Sequence, residues 1–253
     1  MTECGRTLWR LESHESLPST SDVCRLKALA EAAPDGLAVL AQQQTAGRGT
    51  NGRTWQSPSG NLHLSVLLRP VEPVRTAAQW SLLAAVALAD ALAAYLPEAP
   101  GLSLKWPNDV LWHGRKLAGI LTESAARADG MLDYLVIGFG VNLAVAPAVA
   151  DRATACLAES AAPPDPETFA RALLAALASW RGVRARDGFA AVRAAWLARG
   201  PATDTELQLR LGSATRAGRF AGLAPDGSLL LATEGGVRAF ASGEVLAPLS
   251  GGA

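Results

Sequence analysis

Residues 44–61 read QTAGRGTNGRTWQSPSGN, and within them Gly47-Arg48-Gly49-Thr50-Asn51-Gly52 spells the pattern G-x-G-x-x-G. How that string is read decides the fold. In a dinucleotide-binding fold a helix opens at the glycines and an acidic residue follows about 20 positions on. Here the glycines run into Arg53-Thr54-Trp55-Gln56-Ser57-Pro58, with Gly60 close behind. Proline and glycine at that spacing deny the stretch a helix. Glu72 is the nearest acid at a suitable distance, but it falls in a predicted turn between Pro70 and Pro73. The doubly wound nucleotide fold is set aside. The segment reads as a glycine-rich ligand loop or, more plainly, as a surface hairpin with solvated arginines.

A second informative stretch, residues 105–120, reads KWPNDVLWHGRKLAGI. It offers Lys105, Asn108, Asp109 and Lys116 around a stiff Trp-Pro step. In the first stretch Gly47, Gly49 and Gly52 let the backbone approach a ligand closely, while Arg48 and Arg53 are suited to grip phosphate oxygens in pairs. Neither stretch carries an evident covalent nucleophile. Together they suggest an enzyme that positions a phosphate and stabilises its charge.

The chain has 253 residues, which suits one large domain or an ordinary one with a small companion. Hydrophobic residues make up 49%, enough for a substantial core, and 23 basic residues balance 23 acidic ones. That neutrality removes any general argument for nucleic-acid or membrane binding, so the local basic cluster points to a small anionic ligand. The most apolar run, residues 80–96, is short for a bilayer span and carries Asp90. No apolar leader is evident at the N-terminus. Cys4, Cys24 and Cys156 are too scattered for a disulfide framework or zinc site, and His14, His63 and His113 show no ligand spacing. A reducing, cytoplasmic location is expected.

Periodicity predicts a short strand over residues 6–11, a helix over 22–33 with Ser19-Thr20-Ser21 at its cap, and strands over 37–41 and 62–68. A strongly apolar helix follows over 75–96, opened by Thr76. Strands are expected at 102–106, 110–112 and 117–123, with Gly114 in a tight turn, and at 134–139. Two amphipathic helices, 167–186 and 189–199, precede a β-rich segment from 206 to 249 punctuated by glycines. The expected architecture is α/β (α+β): a mixed β-sheet flanked by helices in residues 1–202, and a small all-β unit in 203–253.

With these residues in place, the chain resembles the biotin protein ligases, which attach biotin to carboxylase carrier domains. The resemblance spans residues 6–249. It rests on Gln44 with Gly47-Arg48-Gly49 and Arg53-Thr54-Trp55, on Lys105-Trp106-Pro107-Asn108-Asp109, on Lys116-Leu117-Ala118-Gly119-Ile120, on Gly138-Phe139-Gly140-Val141-Asn142, and on Ser242-Gly243-Glu244. It implies a catalytic domain akin to class II aminoacyl-tRNA synthetases followed by an SH3-like β-barrel. It also implies ATP with Mg2+, biotin as substrate, and a biotin carboxyl carrier domain of an acyl-CoA carboxylase as acceptor.

By the same resemblance Lys116 contacts the biotin carboxyl and the α-phosphate, and with Arg48 and Arg53 forms the catalytic set. Ser19, Thr20, Ser21 and Gln44 would hold the ureido ring, although Ser19 and Ser21 alternatively only cap the helix. Gly47, Gly49, Thr50 and Gly119 would complete the biotin site. Trp55, Lys105, Asn108, Asp109 and Asn142 would meet the nucleotide. Trp55 is otherwise a core residue and Asn142 a strand terminator, while Lys105 and Asp109 either serve pyrophosphate and magnesium or pair with each other. Two departures stand out: Ser21 replaces a family Asn, and Thr50 replaces an arginine implicated in retaining the adenylate. The catalytic pattern begins within the first ten residues, so neither a DNA-reading domain nor a DNA partner is expected. No membrane partner is expected, and a homodimer is open. Alternatives are a lipoate or octanoate ligase of the same superfamily and a non-catalytic biotin or biotinyl-adenylate sensor.

Overall fold

The computed structural model describes residues 9–30, 33–96, 101–149 and 152–246. Seven strands form one mixed sheet: β1 (Arg10–Leu17), β2 (Leu37–Gln44), β3 (Leu62–Leu68), β4 (Leu102–Lys105), β5 (Asp109–Trp112), β6 (Arg115–Ala126) and β7 (Leu132–Val141). Their spatial order is β1-β2-β3-β7-β6-β5-β4. Only the β1–β2 pair is parallel.

The expected strand over 6–11 is displaced: β1 starts at Arg10, and residues 6–8 lie outside the described ones. The helix expected over 22–33 is α1 (Thr20–Ala30), with residues 31–32 also outside. It starts early because Ser19 supplies the cap, its Oγ accepting from Asp22 N at 3.4 Å.

β3 is buried along its whole length, and its pleat explains why. Leu62, Leu64, Val66 and Leu68 enter the main core, while Leu67 joins Leu37, Val39, Tyr134 and Val136 under Cys24 and Ala28 of α1. Two helices cover the opposite face: α2 (Ala77–Ala93) and α3 (Pro166–Leu197). α2 is apolar nearly all round because it lies between the sheet and α3. Together with the 3-10 turn before it, Val74–Ala93 is long and apolar enough to cross a membrane, yet 67% of its most apolar window is buried in the protein. Thr76 holds the cap position but does not cap: its hydroxyl donates to Glu72 Oε2 at 2.8 Å.

α3 starts on Asp165, whose carboxylate accepts from Glu167 N and Thr168 N, with Pro166 in the first turn. The two helices expected here meet at Gly188, where φ of 73° makes the kink and requires glycine. Between β5 and β6, His113 and Gly114 both take positive φ (47° and 75°), the geometry of a tight hairpin.

Five short antiparallel strands make the second sheet: β8 (Glu206–Leu211), β9 (Ala214–Leu223), β10 (Leu229–Thr233), β11 (Gly236–Phe240) and β12 (Glu244–Val245), ordered β11-β10-β9-β8-β12. Residues 247–249 of the expected all-β segment lie outside the described ones. The two sheets part in the connection between Leu197 and Glu206. Their apolar residues nevertheless form one cluster, in which Trp196 stacks near Phe220 and Trp106 Nε1 donates to Gly227 O at 3.2 Å.

Candidate active site

On the α1 face of the sheet, three glycines lie in adjacent registers of β6 and β7: Gly119 beside Gly140, and Gly138 opposite Leu121. Missing side chains leave a floor on which other groups sit. A Cβ at Gly140 would fall 2.3 Å from Trp55 Cε2, and one at Gly138 would fall 2.8 Å from Ser21 Oγ. Trp55 therefore lies flat against the strands as a wall. Around this floor opens a cavity of about 460 Å³ including its mouth. Thr20, Ser21 and Ser65 line its inner end, and Trp55, Asn108 and Lys116 its outer end.

The glycine-rich loop leaves the end of β2 and returns on itself. Arg48 bridges to Thr54, and Trp55 N donates to Gly47 O at 2.9 Å. At the tip, Asn51 and Gly52 take positive φ within a three-residue 3-10 turn, so no helix opens at the glycines. The hairpin reading of this loop holds, but its arginines are engaged by carboxylates. Arg48 spans the mouth from Asp22 of α1 (2.9 Å) to Glu123 of β6 (2.8 Å). Arg53 reaches out of the sheet to Glu244 of β12, bidentate at 2.8 and 2.6 Å.

At the inner end the hydroxyl protons run one way. Thr20 N–H donates to Gln44 Oε1 at 2.9 Å, which fixes the orientation of that amide. Thr20 Oγ1 also donates to this oxygen, at 3.1 Å, and so spends its only proton. In the 2.7 Å contact between Thr20 and Ser65 the donor must then be Ser65. In turn, Ser21 must donate to Ser65 at 2.9 Å. What remains toward the cavity is a set of oxygen lone pairs, a surface made for N–H donors. Ser65 does not stand out in the sequence. Its signal was two polar residues, His63 and Ser65, at alternate positions of an otherwise apolar strand.

At the outer end Asp109 is buried between two lysines, with Lys116 Nζ 2.6 Å from Oδ1 and Lys105 Nζ 2.9 Å from Oδ2. Burial works against its charge, but the two ammoniums prevail and hold the carboxyl below the usual range. For Lys116, burial pulls the ammonium below its ordinary value against the support of Asp109. Lys116 Nζ also stands 5.6 Å from the Trp55 ring centre. Asn108 donates to Ile120 O at 2.6 Å and fixes the turn that carries Asp109.

Asp109 does not fit a magnesium ligand as it stands, since each of its oxygens is taken by a lysine, and its pairing with Lys105 is what the structure holds. Among the described residues, no group of three or more His, Cys, Asp and Glu is placed to hold a metal. Asn142 does not line the cavity. Its Nδ2 donates to Ala155 O at 3.0 Å, which ties the end of β7 to the segment beside Lys116. Lys105, Arg53 and Gly47 also lie outside the lining, while Ser19, Gln44, Gly49, Thr50 and Gly119 belong to it.

A pocket that accepts N–H donors at one end and gathers cations at the other, with no nucleophile–base pair between them, defines a group-transfer site for a ligand carrying an anionic tail. The chain belongs to the biotin/lipoate A/B protein ligase family, whose description matches residues 13–142, and residues 208–246 match the biotin protein ligase C-terminal domain. It is 41% identical to the biotin--[acetyl-CoA-carboxylase] ligase of Paracoccus denitrificans over 82% of this chain and 88% of that one. It is 34% identical to the bifunctional ligase/repressor of Bacillus subtilis over 84% of this chain but only 66% of that protein. The biotin protein ligase of Aquifex aeolicus, solved in complex with biotin and ATP, superposes with a TM-score of 0.78 at 28% identity, covering 93% and 97% of the two chains.

Proposed function

We propose that this protein is an ATP-dependent biotin protein ligase. A biotin carboxylate oxygen bonds to the α-phosphorus of ATP while the bond to the β-phosphate oxygen breaks, giving biotinyl-5'-AMP and pyrophosphate. The amine of a carrier-domain lysine then bonds to the acyl carbon, AMP leaves with the C–O electrons, and the nitrogen sheds a proton.

The observation that carries this reading is the polarity of the cavity. The cyclic urea of biotin has two ring N–H groups, and the oxygens of Thr20 and Ser21 are left with lone pairs and no protons to give. The valeryl chain then runs over the glycine floor toward Lys116. Its ammonium, oriented by Asp109, balances the charge that builds on the carboxylate and α-phosphate as they meet. Trp55 shields the mixed anhydride from water, and Arg48 closes the mouth above it. Asp109 remains with its lysines, and magnesium, where ATP brings it, would supply charge neutralisation on the phosphates without a ligand from Asp109. The acceptor is the carrier domain of an acyl-CoA carboxylase, and the free thiols Cys24 and Cys156 suit a reducing cytoplasm.

Intact-mass analysis of a carrier domain incubated with this protein, Mg-ATP, biotin and lipoate tests the reading. A biotin-sized increment that disappears with Lys116→Ala supports it. A lipoyl increment, or biotin binding without transfer, overturns it.

A further inference from the structure

Behind Trp55 the sheet carries a side chain that the ligase chemistry leaves unused. His63 of β3 pairs with Gly140 of β7, which pairs in turn with Gly119 of β6. Residues so paired point to the same face, so the three stand in one row beneath the glycine-rich loop. Two of them have no side chain, and the indole of Trp55 fills their place. A Cβ on Gly119 would fall 3.1 Å from its Cζ3, and one on Gly140 would fall 2.7 Å from its Nε1. The ring thus runs along the row with its six-membered part toward β6. Its N–H edge is turned toward β3, where His63 stands next.

That edge and that imidazole are complementary. Trp55 Nε1 is buried and donates to nothing, while His63 Nδ1 is buried and accepts from nothing. The tautomer follows from the other ring nitrogen. His63 Nε2 lies 3.3 Å from Pro58 O, and a carbonyl only accepts, so Nε2 carries the proton and Nδ1 keeps its lone pair. The residue is only 1% exposed, and burial holds its pKa below the ordinary histidine value, so the ring stays neutral. An indole N–H, for its part, can only donate. Each group left unpaired in a buried place is a cost that one bond between them would remove. Paired neighbours carry their Cβ atoms about 5 Å apart, so a small slide of the indole across Gly140 closes the gap.

We propose that His63 is the positioning residue of Trp55: with the adenylate in the cavity, the indole settles toward β3 and His63 Nδ1 accepts its Nε1–H. The inference rests on the ligase reading and deepens it. Trp55 lines the cavity and His63 does not, so the imidazole acts through the indole and not on the ligand. A ligand bearing on the open face of the ring presses it to the sheet, and hydrogen bonds of this kind tighten once a site is filled. The bond then keeps the aromatic wall shut over the mixed anhydride until the carrier lysine arrives. Through Pro58 O the same imidazole also holds the segment that follows Trp55, so wall and loop share one support.

The test is the indole N–H region of a proton–nitrogen correlation spectrum of the full-length chain, with the Trp55 signal identified by its loss in Trp55→Phe. On addition of biotin and ATP that signal should move downfield. Release of biotinyl-5'-AMP should quicken about tenfold in His63→Phe, which keeps a flat ring and loses the acceptor. Two amides separate the roles of the ring nitrogens. The amide oxygen of His63→Asn reaches the place of Nδ1 and should restore both the shift and the slow release. The amide of His63→Gln lies nearer the place of Nε2, can serve Pro58 alone, and should behave as the phenylalanine variant does. Rescue by glutamine and not by asparagine would make His63 a prop of the loop and overturns the proposal. A wild-type signal that does not move overturns it without recourse to any His63 variant, so misfolding of those variants leaves the proposal falsifiable. A signal that moves equally in His63→Phe overturns it too, because the N–H has then turned to the ligand. If biotin and ATP yield no biotinyl-5'-AMP, the ligase reading itself falls, a result distinct from an adenylate that forms beside an unmoved indole.

Discussion

The ammonium of Lys116 lies 2.6 Å from Asp109 Oδ1, with the two side chains 16% and 7% exposed. A lysine so placed keeps its proton because the carboxylate is there. Burial alone lowers its affinity for that proton. Asp109→Asn removes the opposing support, so the pKa of Lys116 falls further and its protonated fraction at a given pH shrinks. The alkaline limb of kcat/KM for adenylate formation should therefore move to lower pH, with activity partly recovered on acidification. An unmoved alkaline limb would mean that Lys116 is not the titrating group.

The same pair bears on stability. The folded-state pKa of Asp109 is depressed, so its contribution is present above the unfolded value, about pH 4, and is lost as pH falls through the lower folded value. Asp109→Asn leaves a buried cation short of a partner and should cost about 3 kcal/mol at neutral pH. Denaturant unfolding of both proteins across a pH series should show this gap narrowing toward strong acid.

Ser65 is the middle link of the hydroxyl relay, fully buried and bonded to both Thr20 and Ser21. Ser65→Ala frees the Ser21 proton to turn into the cavity, where it meets a ring N–H instead of accepting from it. We expect KM for biotin to rise about tenfold, with KM for ATP unchanged. Discrimination against a ring-N-methylated biotin should fall at the same time. Loss of stability with that discrimination intact would reduce Ser65 to packing.

Much of this site was legible in the chain because its parts are local. Gly47 to Trp55 and Lys105 to Gly119 are short stretches in which glycine, arginine and lysine announce their chemistry by spacing. The sheet followed from alternation, and the break in α3 from the gap left between the two expected helices. What could not be read was pairing at a distance. Nothing in the string says that Arg53 meets Glu244, 191 positions on, or that Arg48 is taken by Asp22 and Glu123. Ser65 hid for a similar reason, because a serine in a strand declares itself only once Thr20 and Ser21 are folded against it. β1 was misplaced because its residues alternate weakly, and its register comes from the parallel pairing with β2.

Gly140 offers a steric test of Trp55. Alanine there places a methyl carbon 2.3 Å from the indole, a clash with a rigid ring that no small shift relieves. Gly119→Ala is the milder companion, since its new Cβ meets the mobile end of Lys116 at 3.0 Å and the edge of Trp55 at 3.1 Å. Gly140→Ala should abolish adenylate formation and alter Trp55 fluorescence, and Gly119→Ala should mainly raise KM for biotin. Equal effects of the two would show that the indole is not seated on Gly140.

Thr50 lines the mouth of the cavity beside Arg48, which is already committed to Asp22 and Glu123. With no charge at position 50, Arg48 must leave those carboxylates before the loop can grip the adenylate phosphate. Closure over the intermediate thus competes with two existing ion pairs, and biotinyl-5'-AMP should escape faster than it would from a loop carrying a second arginine there. Thr50→Arg supplies that cation without disturbing Arg48. It should slow adenylate release by about tenfold, the worth of one charge-assisted phosphate contact, with little change in the rate of adenylate formation. Stopped-flow tryptophan fluorescence during a chase with excess unlabelled ligand reads the release rate directly. Identical rates in the two proteins would show that Asn51 and Arg53 already hold the intermediate and that Thr50 carries no deficit.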